Sequence, residues 1–238
     1  MPNDSLPPWD EVLSAAARLQ TMLPDAVLVG GTAAAVYAGH RKSRDADHIV
    51  ADLRSRYDAI LDDLESVAGW RTARVNRPVL ILGSLDGIET GIRQLIREAP
   101  LETRDMEISG QHLRLPTEAE MLRIKAVLVL KRNATRDHVD LAALTHHLGM
   151  PAAVEALRPF DRLYPQPAEA SALQQLAIQL ATPQPYDLEG THLAEYKGLE
   201  SRWHEWSAVE AVTSDLAAAI LDQILDAEIG DAGPAGAG

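Results

Sequence analysis

The chain has 238 residues, 46% of them apolar and 24% charged, with a formal net charge of −13 and no cysteine. This length is enough for one large or two small domains with a hydrophobic core. The lack of cysteine excludes disulfides and thiolate metal ligands. A field this negative, strongest in the last third of the chain, disfavours general binding to a phosphate backbone but leaves room for a local basic pocket. No apolar run approaches the ~20 residues of a membrane span, and "MPNDSLPPWDEV" lacks the basic and apolar regions of a signal peptide. Together these features predict a cytoplasmic protein with no membrane partner.

In chain order, residues 7–23 have a proline start, an acidic first turn and helically spaced apolar residues, and so predict an amphipathic helix. "AVLVG" (26–30) predicts a short buried strand. "GTAAAVYAG" (31–39) predicts a small-residue helix ended by Gly39, 46–53 a strand, and 54–70 a helix closed at Gly69. Residues 71–115 are β-leaning segments split by turns such as "LDG" and "SGQ". From Pro116 the pattern is helical almost to the end, with 197–212 predicted as a helix packed through its tryptophans. The expectation is an α+β chain whose N-terminal half is α/β: a core over 1–116, a helical domain over 117–229 and a disordered Gly/Ala tail over 230–238.

The densest chemistry lies in "GGTAAAVYAGHRKSRDADHIV" (30–50). On a strand, Asp45 and Asp47 point to one face. Two carboxylates there repel each other unless a cation sits between them, and Mg²⁺ is commonly held by one or two carboxylates plus substrate phosphates. Gly30 and Gly31, between a strand and a helix start, allow backbone N–H groups to approach a phosphate with the helix dipole behind them. Thr32 is placed to cap that helix or add a hydroxyl contact. Arg41 and Ser43 add phosphate donors. His48 faces the other side of the strand, where it packs, and His40 belongs to the loop.

A second stretch, "PTEAEMLRIKAVLVLKRNATRDHVDLAAL" (116–144), opens on a Thr117/Glu120 capping box. Lys125 falls on the apolar face of its helix, where an ammonium must be paired, snorkel to water or reach a pocket. Asp137 and Asp140 share a face of the next helix, and Arg136 and Asp137 could form a structural ion pair.

Gly-Gly-Thr followed by Arg-x-Ser-x-Asp-x-Asp resembles the DNA polymerase β-like nucleotidyltransferases, and the two stretches together resemble the AbiEii/AbiGii type, many of them toxins of type IV toxin–antitoxin systems. The resemblance covers about residues 12–148. It implies a mixed-sheet core followed by helices, Mg²⁺ (or Mn²⁺) on Asp45 and Asp47, and nucleotide on Gly30, Gly31, Thr32, Arg41, Ser43, Lys125 and Asp140; it also assigns a functional aspartate to either Asp137 or Asp140, with Asp137 favoured as the catalytic one. The implied reaction transfers a nucleoside monophosphate from a nucleoside triphosphate to a tRNA, a protein hydroxyl or a small molecule. A cognate antitoxin is the implied protein partner. Sites of this superfamily usually carry a third carboxylate on a neighbouring strand. Glu89 could supply it, or Gly91 could stand where it is expected, while Asp86 reads as a turn residue. With no third acid, the chain would be a nucleotidyltransferase-fold interaction protein with a weakened site.

Overall fold

The computed structural model describes residues 7–196 and 198–231. They form two compact units that divide after Met121.

The first unit contains α1 (Trp9–Met22), β1 (Val27–Leu28), α2 (Gly30–Ala38), β2 (Asp45–Val50), α3 (Leu53–Ser66), β3 (Trp70–Asn76), β4 (Leu80–Leu85), β5 (Ile88–Gln94), β6 (Thr103–Ile108) and β7 (Gln111–Pro116). Five strands make a mixed sheet in the order β1-β2-β5-β4-β3, and β6 and β7 form a separate hairpin. The β2–β5 pairing is parallel and the others are antiparallel. Apolar residues from α1 and α3, among them Leu19, Tyr57, Ile60 and Leu64, pack with Val50, Ile81, Leu85 and Ile92 of the sheet. Because strand side chains alternate, Asp45, Asp47, Glu89 and Arg93 are left on the opposite face.

Local chemistry sets the element ends. Gly39 closes α2 in the left-handed conformation, with its N–H donating to Ala35 O. Asp86 and Gly87, both at positive φ, turn β4 into β5 as an Asp-Gly hairpin loop. Asp86 is thus the turn residue the sequence predicts, and its carboxylate is ion-paired with Arg18. The helix expected over 54–70 stops at Ser66, because Val67 is extended and Trp70 already begins β3.

The second unit is helical. It begins within α4 (Glu118–Arg132) and continues through α5 (Thr135–Leu148), α6 (Met150–Leu157), α7 (Phe160–Leu163), α8 (Ala172–Ala181) and α9 (Trp206–Asp231). The expectation of helix almost to the end fails at 182–205, whose described residues hold only turns, bends and short 3₁₀ segments. Pro183, Pro185 and Gly190 break the helical ladder there. In the predicted 197–212 helix, Trp203 is buried in a 3₁₀ turn and α-helix begins only at Trp206. Lys197 lies outside the described residues. Of the predicted tail, Gly230 and Asp231 end α9, and 232–238 lie outside the described residues.

The N-terminus of α5 is capped by a distant residue. Ala134 occupies the cap position but has no side-chain acceptor. Instead, Asp187 Oδ1 accepts from Thr135 N–H at 2.7 Å and from Thr135 Oγ at 2.8 Å. Asn133 sits beside it at positive φ, donates to Gln184 O and accepts from His138 Nε2 at 2.8 Å. His138 packs edge-on against Trp206. These bonds tie the irregular 183–187 segment to the α4–α5 corner.

Candidate nucleotide and metal site

In the first unit, β1 runs antiparallel to β2, and the Val29 N–H donates to Asp47 O at 2.8 Å. The chain then enters α2 at Gly30, whose φ is +72°, a conformation that suits glycine. A Cβ built on Gly30 would lie 3.3 Å from Asp47 Cβ and Oδ2, so the turn rests directly on that carboxylate. At Gly31 a Cβ would fall 2.1 Å from Arg41 Nη2, which brings the Arg41 guanidinium onto the glycine turn. The two glycines, Arg41 and Asp47 are therefore neighbours, as the sequence order suggests.

Asp45 is held by its own loop. Ser43 Oγ donates to Asp45 Oδ1 at 2.8 Å, and the Arg44 N–H approaches the same oxygen at 3.3 Å. Ser43 thus fixes a carboxylate here. Thr32 does not cap α2. It is buried, and its Oγ donates to the backbone oxygen of Asp45 at 2.5 Å, while Val29 is the cap residue. Thr32 is the third residue of α2, past the cap position, so its hydroxyl donates to the adjoining strand instead.

His48 faces the helix side of the sheet, fully buried, with Nδ1 3.0 Å from Ala46 O. Burial pushes its pKa down to about 4. It is a packing residue, as its place on the strand predicts.

The parallel register of β5 on β2 places both candidates for a third acid. Asp45 pairs with Glu89 and Asp47 with Gly91 on the adjacent parallel strand. A Cβ at Gly91 would fall 2.2 Å from Asp47 Oδ1, so the carboxylate of Asp47 lies over Gly91 and fills the place a side chain would take. Glu89 is exposed beside Asp45, and no three His, Asp or Glu gather as a metal cluster among the described residues. Two residues past Gly91, Arg93 Nε is 3.9 Å from Asp47 Oδ1. Sequence reading missed Arg93, although its i+2 spacing from Gly91 already put it on that face.

The second unit carries the other predicted residues. Lys125 Nζ lies 2.7 Å from Asp140 Oδ2, and both side chains are buried. Asp137 is buried and held by Arg132, with Nε at 2.5 Å and Nη2 at 2.6 Å. The partner is thus Arg132 rather than Arg136, because a buried carboxylate on the first turn of α5 meets the end of α4 while the i−1 neighbour points elsewhere. The Thr117/Glu120 box, in the first unit, is half-formed. Glu120 N–H donates to Thr117 Oγ at 3.2 Å, but the Glu120 carboxylate is buried against Arg97 at 2.9 Å.

No family model matches the chain. Among curated proteins it is 28% identical over 211 residues to the mycolic acid-containing lipids exporter MmpL11 of Mycolicibacterium smegmatis, covering 87% of this chain and 21% of that one. It is 29% identical over 209 residues to the heme uptake protein MmpL11 of Mycobacterium tuberculosis, covering 74% and 20%. The chain thus spans about a fifth of the length of these relatives. No helix among its described residues is long and apolar enough to cross a membrane. Among solved structures, JHP933 from Helicobacter pylori superposes with a TM-score of 0.54 at 15% identity, covering 95% of this chain and 97% of that one. A candidate nucleotidyltransferase from H. pylori gives 0.54 at 16%, covering 92% and 95%. The chain has a nucleotidyltransferase-like α+β fold. Both likenesses extend over nearly the whole length of this chain.

Proposed function

We propose that the chain is a metal-dependent nucleotidyltransferase that moves a nucleoside monophosphate from a nucleoside triphosphate to an acceptor hydroxyl. The observation that carries this reading is the seating of the Gly30–Gly31 turn, at the N-terminus of α2, on the Asp47 carboxylate. A helix N-terminus with glycine at its first positions favours phosphate. Two carboxylates on one strand face favour a hard divalent cation. The donor set fits Mg²⁺ or Mn²⁺: oxygen ligands only, on alternate residues of β2, with Asp45 oriented by Ser43.

Asp45 and Asp47 would hold that ion, which when bound neutralises charge on the triphosphate. The N–H groups of the glycine turn, with Arg41, would grip the phosphates. The acceptor oxygen attacks the α-phosphorus, the bond from that phosphorus to the α,β-bridging oxygen breaks, and pyrophosphate leaves. Glu89, exposed beside Asp45, would take the acceptor proton. Lys125 and Asp140, being each other's partners, would serve by fixing α4 against α5. The acceptor is the hydroxyl of a tRNA, a protein or a small molecule, and a toxin paired with an antitoxin is the biological setting that the sequence resemblance favours. Two paired carboxylates at a helix N-terminus favour this chemistry over the transport named for much longer relatives.

The test is incubation with each α-labelled nucleoside triphosphate, Mg²⁺ and cell-extract acceptors. The expected result is Mg²⁺-dependent label transfer that Asp47→Asn abolishes. No transfer dependent on Asp45 and Asp47 to any component would overturn the reading. The filled space over Gly91 favours one second reading, a nucleotide-binding module with little turnover. That module would bind nucleotide and Mn²⁺ in calorimetry without labelling any acceptor.

A further inference from the structure

Resting on the nucleotidyltransferase reading, we infer that Arg93 is a further phosphate-binding residue, taking the place of a second metal ion in a site that holds one divalent cation. Three observations on one strand pair lead to it. First, Asp47 faces Gly91 in parallel register, and the Asp47 carboxylate occupies the volume of the side chain that Gly91 lacks, at 2.2 Å from a built Cβ. An acid at position 91 is therefore excluded while Asp47 keeps its place. Second, Glu89 on the same strand is exposed, and it forms no cluster of three acids with Asp45 and Asp47. Third, Arg93 is the next residue of β5 on that face, with its guanidinium 3.9 Å from Asp47 Oδ1 and half of its side chain in solvent.

The electrostatics follow from the count of charges. Two carboxylates balance one divalent cation, and Glu89, which forms no metal-holding group of three with them and is reserved for the acceptor proton, leaves a second such ion without a ligand set. The triphosphate still brings about four negative charges that a single ion does not neutralise. A guanidinium is a permanent cation with a fork of donors matched to phosphate oxygens. Arg93 touches Asp47 at a distance too long for a strong hydrogen bond, so its donors can turn to a phosphate without breaking a tight pair. The two strands divide the work: β2 supplies the anions for the metal, and β5 supplies a fixed cation where an anion would otherwise stand.

The test counts metal ions directly. Full-length chain is titrated with Mn²⁺ in the presence of a non-hydrolysable nucleoside triphosphate, and bound Mn²⁺ is counted by electron paramagnetic resonance. The expected result is one Mn²⁺ per chain with no Mn–Mn coupling. Arg93→Gln should keep that one Mn²⁺ and weaken nucleotide binding by about ten-fold, and Arg93→Lys should restore part of it. Two coupled Mn²⁺ ions per chain, or nucleotide affinity unchanged in Arg93→Gln, would overturn the inference and leave the nucleotidyltransferase reading standing. No nucleotide-dependent Mn²⁺ binding at all would overturn both. Because Arg93 is half exposed and outside the apolar core, its variants fold, and an unchanged circular dichroism melt confirms it.

Discussion

Lys125 Nζ lies 2.7 Å from Asp140 Oδ2 inside the helical unit, with 3% and 0% of the side chains exposed. This pair joins α4 to α5 away from water, where an ion pair costs desolvation and is worth keeping only if both partners stay. Lys125→Met alone leaves a buried carboxylate, and Asp140→Leu alone leaves a buried ammonium. Each should lower unfolding free energy by about 3–5 kcal/mol. The double variant should recover most of that loss. Urea unfolding of the three variants measures it, and equal losses in the single and double variants would show that the pair is not the unit of stability.

Gly31 and Gly91 make a paired comparison. A methyl at Gly31 meets the guanidinium of Arg41, which is buried and must shift, but neither Asp45 nor Asp47 is among the atoms nearest to it. A methyl at Gly91 meets the Asp47 carboxylate, with Leu82 Cδ2 at 3.1 Å behind it. Gly31→Ala should therefore displace Arg41 at a cost of about 1–3 kcal/mol and leave Mn²⁺ binding in place. Gly91→Ala should displace Asp47 and weaken Mn²⁺ binding by about ten-fold or more. Melting curves and Mn²⁺ titration of both variants separate the two effects.

The cap on α5 predicts a cost at a residue far away in sequence. Asp187→Ala removes the acceptor of both Thr135 donors and should destabilise the protein by about 1–2 kcal/mol. Burial raises the Asp187 pKa, and the hydrogen bonds from Thr135 outweigh it, so the carboxyl ends below its ordinary value. The cap is then fully present above the ordinary carboxylate range and is lost as pH falls through the lowered value. The difference between wild type and Asp187→Ala should accordingly shrink in strong acid, as read by thermal melts across pH.

Acid should act earlier through two histidines. Burial pushes His48 and His138 from 6.5 to about 4, in His138 against the opposing pull of Asp137 and Asp187. Each ring is less ready to bind a proton folded than unfolded. Their contribution is whole above about pH 6.5 and drains away as pH falls toward 4, by about 3 kcal/mol per ring. Urea midpoints at pH 8, 6 and 5 should fall steadily. In His138→Asn the slope should drop by about half, and an unchanged slope would remove His138 from this account.

The sequence by itself determined the local chemistry. Period-2 alternation set Asp45 and Asp47 on one face, Gly39 ended its helix, the Asp-Gly pair marked its hairpin, and Lys125 stood out because an ammonium does not belong on an apolar face. All of these depend on neighbours within a few residues, so they can be read along the chain. What only the tertiary structure decided are contacts between residues far apart in sequence. The parallel register of β2 with β5 put Gly91 under Asp47 and Arg93 beside it. The packing of α4 on α5 gave Lys125 to Asp140 and Asp137 to Arg132. The path of 183–187 brought Asp187 to Thr135. A two-residue shift of register would keep Ile88 and Ile92 on the core face but set a different residue beside Asp47, and no local pattern in "GIETGIRQL" distinguishes those registers. The composition of the site was legible in the motif, but its charge balance was fixed by which strand lay next to it.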